Sequence, residues 1–366
     1  MHTARPRPAR RHRPTRLGLA AATALALAGC SAGASPSPAP PPAGATSAAS
    51  SPATSTTTPT PSPTPTPTPT LPEVRSPDTL PAYMAEELDL DLTITRERLQ
   101  SETDDHERWE VSYPSGDLTI TGILLVPEGE GPFPAVVLNH GHIDRNRYWS
   151  GQGVPREQEH LVEQGFVVLH TDYRGHAGSD DTDEVDHTLR VGYVRDAVNA
   201  AIALGNEDVV DPDRVGMVGR SMGGGVTLGA AVTHPEVIDA AVVYASVSSL
   251  YLDNFRRWEL PERSGTAQEV YKEYGDPEES PEFYTDLSPR TFFDRIAAAD
   301  LPVQIHHGEA DDTCPVEWAR ATEASLEEAG VRTETHYYAD EGHTFEAEWQ
   351  TSIERTVSFL EESFED

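Results

Sequence analysis

Two cysteines and one lysine are all that this chain of 366 residues holds of either kind. So few cysteines exclude a disulfide-stapled scaffold, which needs several pairs. If Cys30 is modified, Cys314 has no intrachain partner and the fold uses no disulfide. Cys314 has no activating context beside it, which suits a small buried hydrophobe better than a nucleophile. Basic residues are also scarce, with 27 Lys and Arg against 61 Asp and Glu. The formal net charge of −34 becomes −40 once the six arginines before position 17 are set aside. A surface that acidic repels nucleic acid and anionic headgroups, so no nucleic-acid partner is expected. It says little about a substrate.

What is present begins with a targeting segment. Residues 1–16 are Arg-rich without an acid, and 17–29 is an apolar run of Ala and Leu too short to span a bilayer. It ends in Leu27-Ala28-Gly29-Cys30, which resembles the lipobox of bacterial lipoproteins. The resemblance implies removal of residues 1–29 and acylation of Cys30; an ordinary cleavage site beside a chance cysteine is the alternative. Arg10-Arg11 does not make a twin-arginine signal, because Arg13-Pro14 follows where hydrophobic residues belong. Residues 31–72 are almost wholly Ser, Thr, Pro, Ala and Gly, and so cannot bury a core. Their prolines favour extended polyproline II, a semi-rigid stalk that would lift a domain off a membrane. The expected location is extracytoplasmic, lipid-anchored through Cys30 to the bacterial cell membrane, or secreted.

The remainder is long enough for one large core. After an extension at 73–105, residues 108–126 alternate apolar and polar around Pro-Ser-Gly-Asp and predict a β-hairpin. Solid apolar strands are predicted at 134–139 and 165–170, and further strands at 215–218, 240–245, 303–306 and 333–338. Helices are predicted at 185–204, 222–233, 316–329 and 349–362. Continuous apolar strands alternating with helices imply an α/β fold, a mostly parallel sheet covered on both faces. The pattern loosens over 246–299 into aromatic and charged residues. An insertion there follows a strand's carboxyl end and would overhang the ligand crevice as a cap. Packing within the cap accounts for most of its aromatics, and one or two are expected to line a pocket.

The chemistry-bearing pattern is Gly219-Arg220-Ser221-Met222-Gly223, placed after a short buried strand and before a helix. Gly219 and Gly223 lack the Cβ atoms that would clash where strand turns into helix, so Ser221 can be held out on a tight turn. Acyl transfer by a serine also needs a base, a carboxylate to orient it, and amide donors for the oxyanion. The strand at 303–306 runs into a loop carrying Asp311 and Asp312, and the strand at 333–338 into a loop carrying His343. Either acid could orient the base. His106, His187, His234 and His336 lack such a placement and read as surface or packing residues. The strand at 134–139 leads into His140-Gly141-His142-Ile143, whose turn would aim the backbone amide of His142 or Ile143 at the site beside that of Met222. His140-x-His142-x-Asp144 resembles the first ligand run of metallo-β-lactamase-fold hydrolases, but Arg145 stands where a further His belongs. No metal and no cofactor is expected.

From about His106 onward the chain resembles the α/β-hydrolase superfamily, and within it the prolyl oligopeptidase (S9) catalytic domain and its dienelactone-hydrolase-like relatives. The residues that carry this are Gly131-Pro132-Phe133-Pro134, His140-Gly141, Asp172-Tyr173-Arg174-Gly175-His176, the serine pentapeptide, Tyr284 with Ser288-Pro289, His307-Gly308 with Asp311, and Gly342-His343. The resemblance implies a catalytic domain at 106–366, Ser221 as nucleophile, Asp311 rather than Asp312 as the orienting acid, and His343 as base. Two departures stand out. The family's large β-propeller has no counterpart in the stretch before the hairpin, which leaves peptidase specificity open. Its Val-Pro after the acid is Cys314-Pro315 here. The expectation is a serine hydrolase acting on a small-molecule ester or a short peptide, with a non-catalytic binding lipoprotein on a hydrolase scaffold as the rival.

Overall fold

The computed structural model describes residues 70–365. The expected signal segment 1–29, Cys30, and all but the last three residues of the 30–72 linker lie outside them. No helix among the described residues is long and apolar enough to cross a membrane.

Nine strands form one sheet: β1 (Thr95–Glu102), β2 (His106–Ser115), β3 (Leu118–Pro127), β4 (Phe133–Asn139), β5 (Val167–Thr171), β6 (Val210–Arg220), β7 (Ala240–Tyr244), β8 (Val303–Gly308) and β9 (Thr333–Tyr338). Their spatial order is β1-β2-β3-β5-β4-β6-β7-β8-β9. The first three strands are antiparallel and meet β5 antiparallel, and the ladder from β5 to β9 is parallel. The hairpin and the parallel sheet stand where the apolar patterning puts them.

The solid apolar runs follow from burial on both faces. Val137 and Leu169 join one core cluster, with helices Val191–Gly205 and Met222–Thr233. Their strand neighbours Val136, Leu138 and Val168 join the other, against helices Pro155–Glu163 and Trp349–Ser363. Successive side chains point to opposite faces, so a strand covered on both faces must be apolar at every position.

Three local expectations are corrected. The helix predicted over 185–204 is two helices, Glu184–Leu189 and Val191–Gly205, broken at Arg190, whose φ of 66° is left-handed. Its apolar period runs through the break, so periodicity alone could not show it. The strand predicted at 215–218 extends back to Val210, and Asp211-Pro212-Asp213 forms a largely exposed bulge between the pairs Phe133–Val210 and Ala135–Val215. The 73–105 extension, for which no element was foreseen, supplies edge strand β1. Every residue of β1 is exposed, so it carries none of the alternation that announces a half-buried strand.

Between β7 and β8 the chain forms short helices, among them Tyr251–Asn254, a π-helical turn at Phe255–Glu259, Ser264–Tyr274 and Pro281–Asp286. Tyr251, Phe255, Phe283, Tyr284, Phe292 and Phe293 are all buried in this region. Most of its aromatics are therefore packing residues.

Candidate active site

Six parallel strands end on the same side of the sheet, and the site lies in the loops that leave β4, β6, β8 and β9, beneath the segment that follows β7. Ser221 follows β6 with φ 58° and ψ −120°, a left-handed conformation that a non-glycine residue adopts only when its surroundings enforce it. The enforcement is visible in the main chain. The Ser221 amide donates to the Tyr244 carbonyl at 2.9 Å, and the Ser221 carbonyl accepts from Gly224 at 3.0 Å and Val247 at 3.1 Å. A Cβ at Gly219 would overlap the Gly223 carbonyl, and one at Gly223 would overlap the Asn139 carbonyl. The two glycines are therefore a steric requirement of the turn.

The His343 loop follows β9 and is clamped to the loop after β8. The Ala310 amide donates to the Glu341 carbonyl at 3.0 Å, and a Cβ on Gly308 would overlap that same carbonyl. The buried Glu341 carboxylate accepts from the amides of Glu346 at 2.8 Å and Glu348 at 2.6 Å, closing the turn around His343. Arg220 donates to the Thr344 hydroxyl at 2.8 Å, tying the serine turn to the histidine loop. Neither Glu341 nor Arg220 was singled out from sequence.

These loops bring three side chains into line. His343 Nε2 lies 2.9 Å from Ser221 Oγ, and His343 Nδ1 lies 2.8 Å from Asp311 Oδ2. The other carboxylate oxygen of Asp311 accepts from the amides of Thr313 and Cys314, each at 2.9 Å. Burial alone would raise the Asp311 carboxyl; the hydrogen bonds from His343 and the Cys314 amide outweigh it and hold the group below the ordinary carboxylate range. It is Asp311, not Asp312, that reaches the imidazole. Asp312 is exposed, and its backbone carbonyl accepts from Arg257. An anionic carboxylate on Nδ1 fixes that proton and leaves Nε2 as an acceptor facing the serine hydroxyl.

The loop after β4 lies against the nucleophile. A Cβ on Gly141 would fall 3.1 Å from Ser221 Cβ, so a side chain here would press on the nucleophile and shift it by a few tenths of an ångström. His142 and Met222 line the cavity that holds Ser221 and His343; Ile143 is not among its lining residues. His140 is fully buried, with its two ring nitrogens facing the carbonyls of Gly141 and Asp172. Burial, then the neighbouring His170 and His176, push it well below the usual imidazole range, which fits a neutral packing residue.

That cavity encloses about 290 Å³, and its far wall comes from the segment between β7 and β8: Trp258, Glu259, Glu262 and Arg263. Trp258 is the pocket-lining aromatic expected of that segment. Glu259 is 2% exposed and lies between Arg190 at 3.3 Å and Arg263 at 3.6 Å. Arg263 also donates to His142 Nε2 at 3.2 Å. Burial, then Arg263 and Arg190, lower the His142 imidazole to about 4, so this ring is neutral at physiological pH. A second cavity of about 370 Å³ shares His142, Arg190, Met222, Glu262 and Arg263 and adds Arg145, His176, His187 and Tyr193. The cleft beside the serine therefore offers guanidinium donors and carboxylate and imidazole acceptors on one side, with Met222, Val247 and Trp258 supplying apolar lining. None of Arg190, Glu259, Glu262 or Arg263 carried a sequence signal, because charged residues in irregular helices look like a solvated surface.

A mostly parallel sheet with a serine on a strained strand-to-helix turn defines the α/β-hydrolase fold. Residues 153–366, more than half of the chain, match the family model of the prolyl oligopeptidase family, and the protein belongs to that family. It is 25% identical over 269 residues to the uncharacterized peptidase YtmA of Bacillus subtilis, covering 73% of this chain and 98% of that protein. Among solved structures, acetyl xylan esterase 1 from Thermoanaerobacterium sp. JW/SL YS485 superposes with a TM-score of 0.57 at 20% identity, covering 78% of this chain and 92% of that one. The acylaminoacyl peptidase of Pyrococcus horikoshii gives 0.55 at 21% identity, over 71% of this chain and 41% of its own. These structural likenesses speak to the fold. An esterase and a peptidase share it.

Proposed function

We propose that this protein is a serine hydrolase that cleaves carboxylic esters, and amide or peptide bonds more slowly, through an acyl-enzyme on Ser221. The observation that carries the reading is the unbroken hydrogen-bonded line from Asp311 through His343 to Ser221 Oγ. His343 Nε2 takes the hydroxyl proton as Oγ attacks the carbonyl. The backbone amides of Met222 and of His142 or Ile143 receive the oxyanion. The imidazolium, held by Asp311, then protonates the leaving group, and water releases the acyl chain by the same route in reverse. No cofactor enters these steps. The polar side of the cleft suits a hydrogen-bonding leaving group, and esters need less leaving-group activation than amides. Acylation of Cys30 would hold the domain outside the cytoplasm on its Pro-rich stalk.

Three measurements test this. A fluorophosphonate probe should label the wild-type protein and leave Ser221→Ala unmodified; equal labelling of both would reject Ser221 as the nucleophile and favour a binding scaffold. Short-chain aryl esters should turn over faster than aminoacyl- and prolyl-arylamides, and hydrolysis of the amides alone would overturn the esterase preference. Cys30→Ser should move the protein from the membrane to the soluble fraction; unchanged fractionation would reject the anchor.

A further inference from the structure

Cys314 lies inside the catalytic cluster. It is fully buried, three residues after Asp311, and its amide donates to the Asp311 carboxylate. Its carbonyl faces His307 Nε2 at 2.8 Å, which fixes the backbone of this turn. Ligating atoms of Asp311, Cys314 and His343 all lie within 4.8 Å of one another, one from each residue. Burial, then the Asp311 charge, push the thiol up to about 12, while a hydrogen bond with the Ser221 side chain opposes the shift. Four chemically different groups therefore meet at one point: a hydroxyl, an imidazole, a carboxylate and a thiol. The last is this chain's own departure, since the family pattern has Val at this position.

We propose that Asp311, Cys314 and His343 form an inhibitory site for a soft divalent cation of the zinc type. One oxygen, one nitrogen and one sulfur ligand on loops is a donor set that Zn²⁺ accepts readily and that hard cations such as Mg²⁺ and Ca²⁺ do not. Zinc bond lengths of about 2.0–2.3 Å put tetrahedral ligands roughly 3.3–3.8 Å apart; the widest pair, within 4.8 Å, needs to close by about 1 Å, and if the metal takes Nδ1 its 2.8 Å contact with Asp311 Oδ2 opens by about half an ångström. On binding, the thiol proton leaves to solvent and the sulfur becomes a thiolate. The imidazole stays neutral, with its remaining proton on the nitrogen that the metal does not use. Water or Ser221 Oγ fills the fourth position, and nothing is oxidised or reduced. A metal-bound His343 cannot take the Ser221 proton, so the ion and catalysis exclude each other. That consequence rests on the proposed triad, whereas the binding itself does not.

The test uses the full chain carrying Cys30→Ser, so that Cys314 is the sole thiol, with and without Cys314→Val. Co²⁺ should give a thiolate-to-metal charge-transfer band that is present with Cys314 and absent in the Cys314→Val variant, and zinc should displace it. Inhibition is read as the ratio of each protein's rate with zinc to its own rate without. Zinc should inhibit the protein that keeps Cys314 at least tenfold more tightly than the Cys314→Val variant, and magnesium should inhibit neither. Should Cys314→Val fail to fold, Cys314→Ala takes its place. No charge-transfer band in the protein that keeps Cys314, or equal zinc inhibition with and without the thiol, overturns the site. A clear band in a protein that hydrolyses nothing would keep the metal site and reject the triad reading.

Discussion

The cavity above Ser221 has two walls made in different ways. The sheet-side wall is held by main chain: the serine turn, the Gly141 approach, and the Gly308–Glu341 contact that joins the acid loop to the histidine loop. The cap-side wall is held by side-chain charge, with one buried carboxylate, Glu259, serving two guanidiniums. Main-chain packing that leaves no room for a Cβ at Gly219, Gly223 or Gly308 tolerates almost no change, whereas a charge cluster at a cavity rim can be rebuilt one residue at a time. On the proposed mechanism, reaction chemistry belongs to the first wall and selectivity to the second. Substitutions on the sheet side should therefore lower kcat, and those on the cap side should move KM and substrate ranking.

The largest separation is expected between two adjacent acids. Asp311→Asn leaves the Nδ1 proton without its anionic partner and permits the wrong tautomer, so kcat should fall by about 10³–10⁴-fold. Asp312→Asn, one position along and exposed, should stay within about twofold. Steady-state kinetics on an activated ester reads both, and equal losses would remove the orienting role from Asp311. Next in size is Gly308→Ala. Its methyl would meet the Glu341 carbonyl and displace the His343 turn; a misplacement of about 1 Å costs roughly 10²-fold in rate. The fall should appear in kcat together with a lowered Tm, and an unaffected kcat would show that the two loops are not coupled as drawn.

The same division explains what could be read from the chain in advance. The serine turn was legible because its glycines are demanded by steric overlap, which leaves a fixed spacing in sequence. Asp311 and His343 were legible because each follows a strand by a few residues, and strand ends share one edge of a parallel sheet. The split at Arg190 was hidden because buried apolar residues, Leu189 before it and Val191 and Val194 after it, stand on both sides of the break. Strand β1 was hidden because an edge strand exposed on both faces has no period. Glu259, Arg190 and Arg263 were hidden for a deeper reason: their burial depends on how short cap helices fold over the sheet, and no local pattern encodes that. Cys314 was correctly read as buried, but its neighbours are brought to it only by tertiary structure.

On the cap side the expected effects are smaller. Glu259→Gln keeps the shape and removes the charge that balances Arg190 and Arg263, which should cost about 1–3 kcal/mol of stability for a buried ionic contact. The cavity then gains net positive charge. Esters bearing a carboxylate should improve relative to neutral esters by about five- to tenfold in kcat/KM, with kcat on neutral esters little altered. If the ranking of acidic and neutral esters does not move, Glu259 is structural and the selectivity assignment fails.

The smallest effect expected is at Trp258, which packs edge-on to Trp318 with centroids 5.6 Å apart and has the Arg257 guanidinium 5.8 Å from its ring. Two rings and a cation make a stiff edge to the cavity, and an apolar face of this kind contacts an acyl chain without directing its chemistry. Trp258→Ala should lose about 0.5–1.5 kcal/mol of binding, seen as a rise of roughly two- to thirteenfold in KM for aromatic acyl esters. Acetyl esters, too short to touch the ring, should be nearly unaffected. A fall in kcat for both substrates instead would mean that the cap-side wall reaches into the chemistry, and the two walls would no longer be separable.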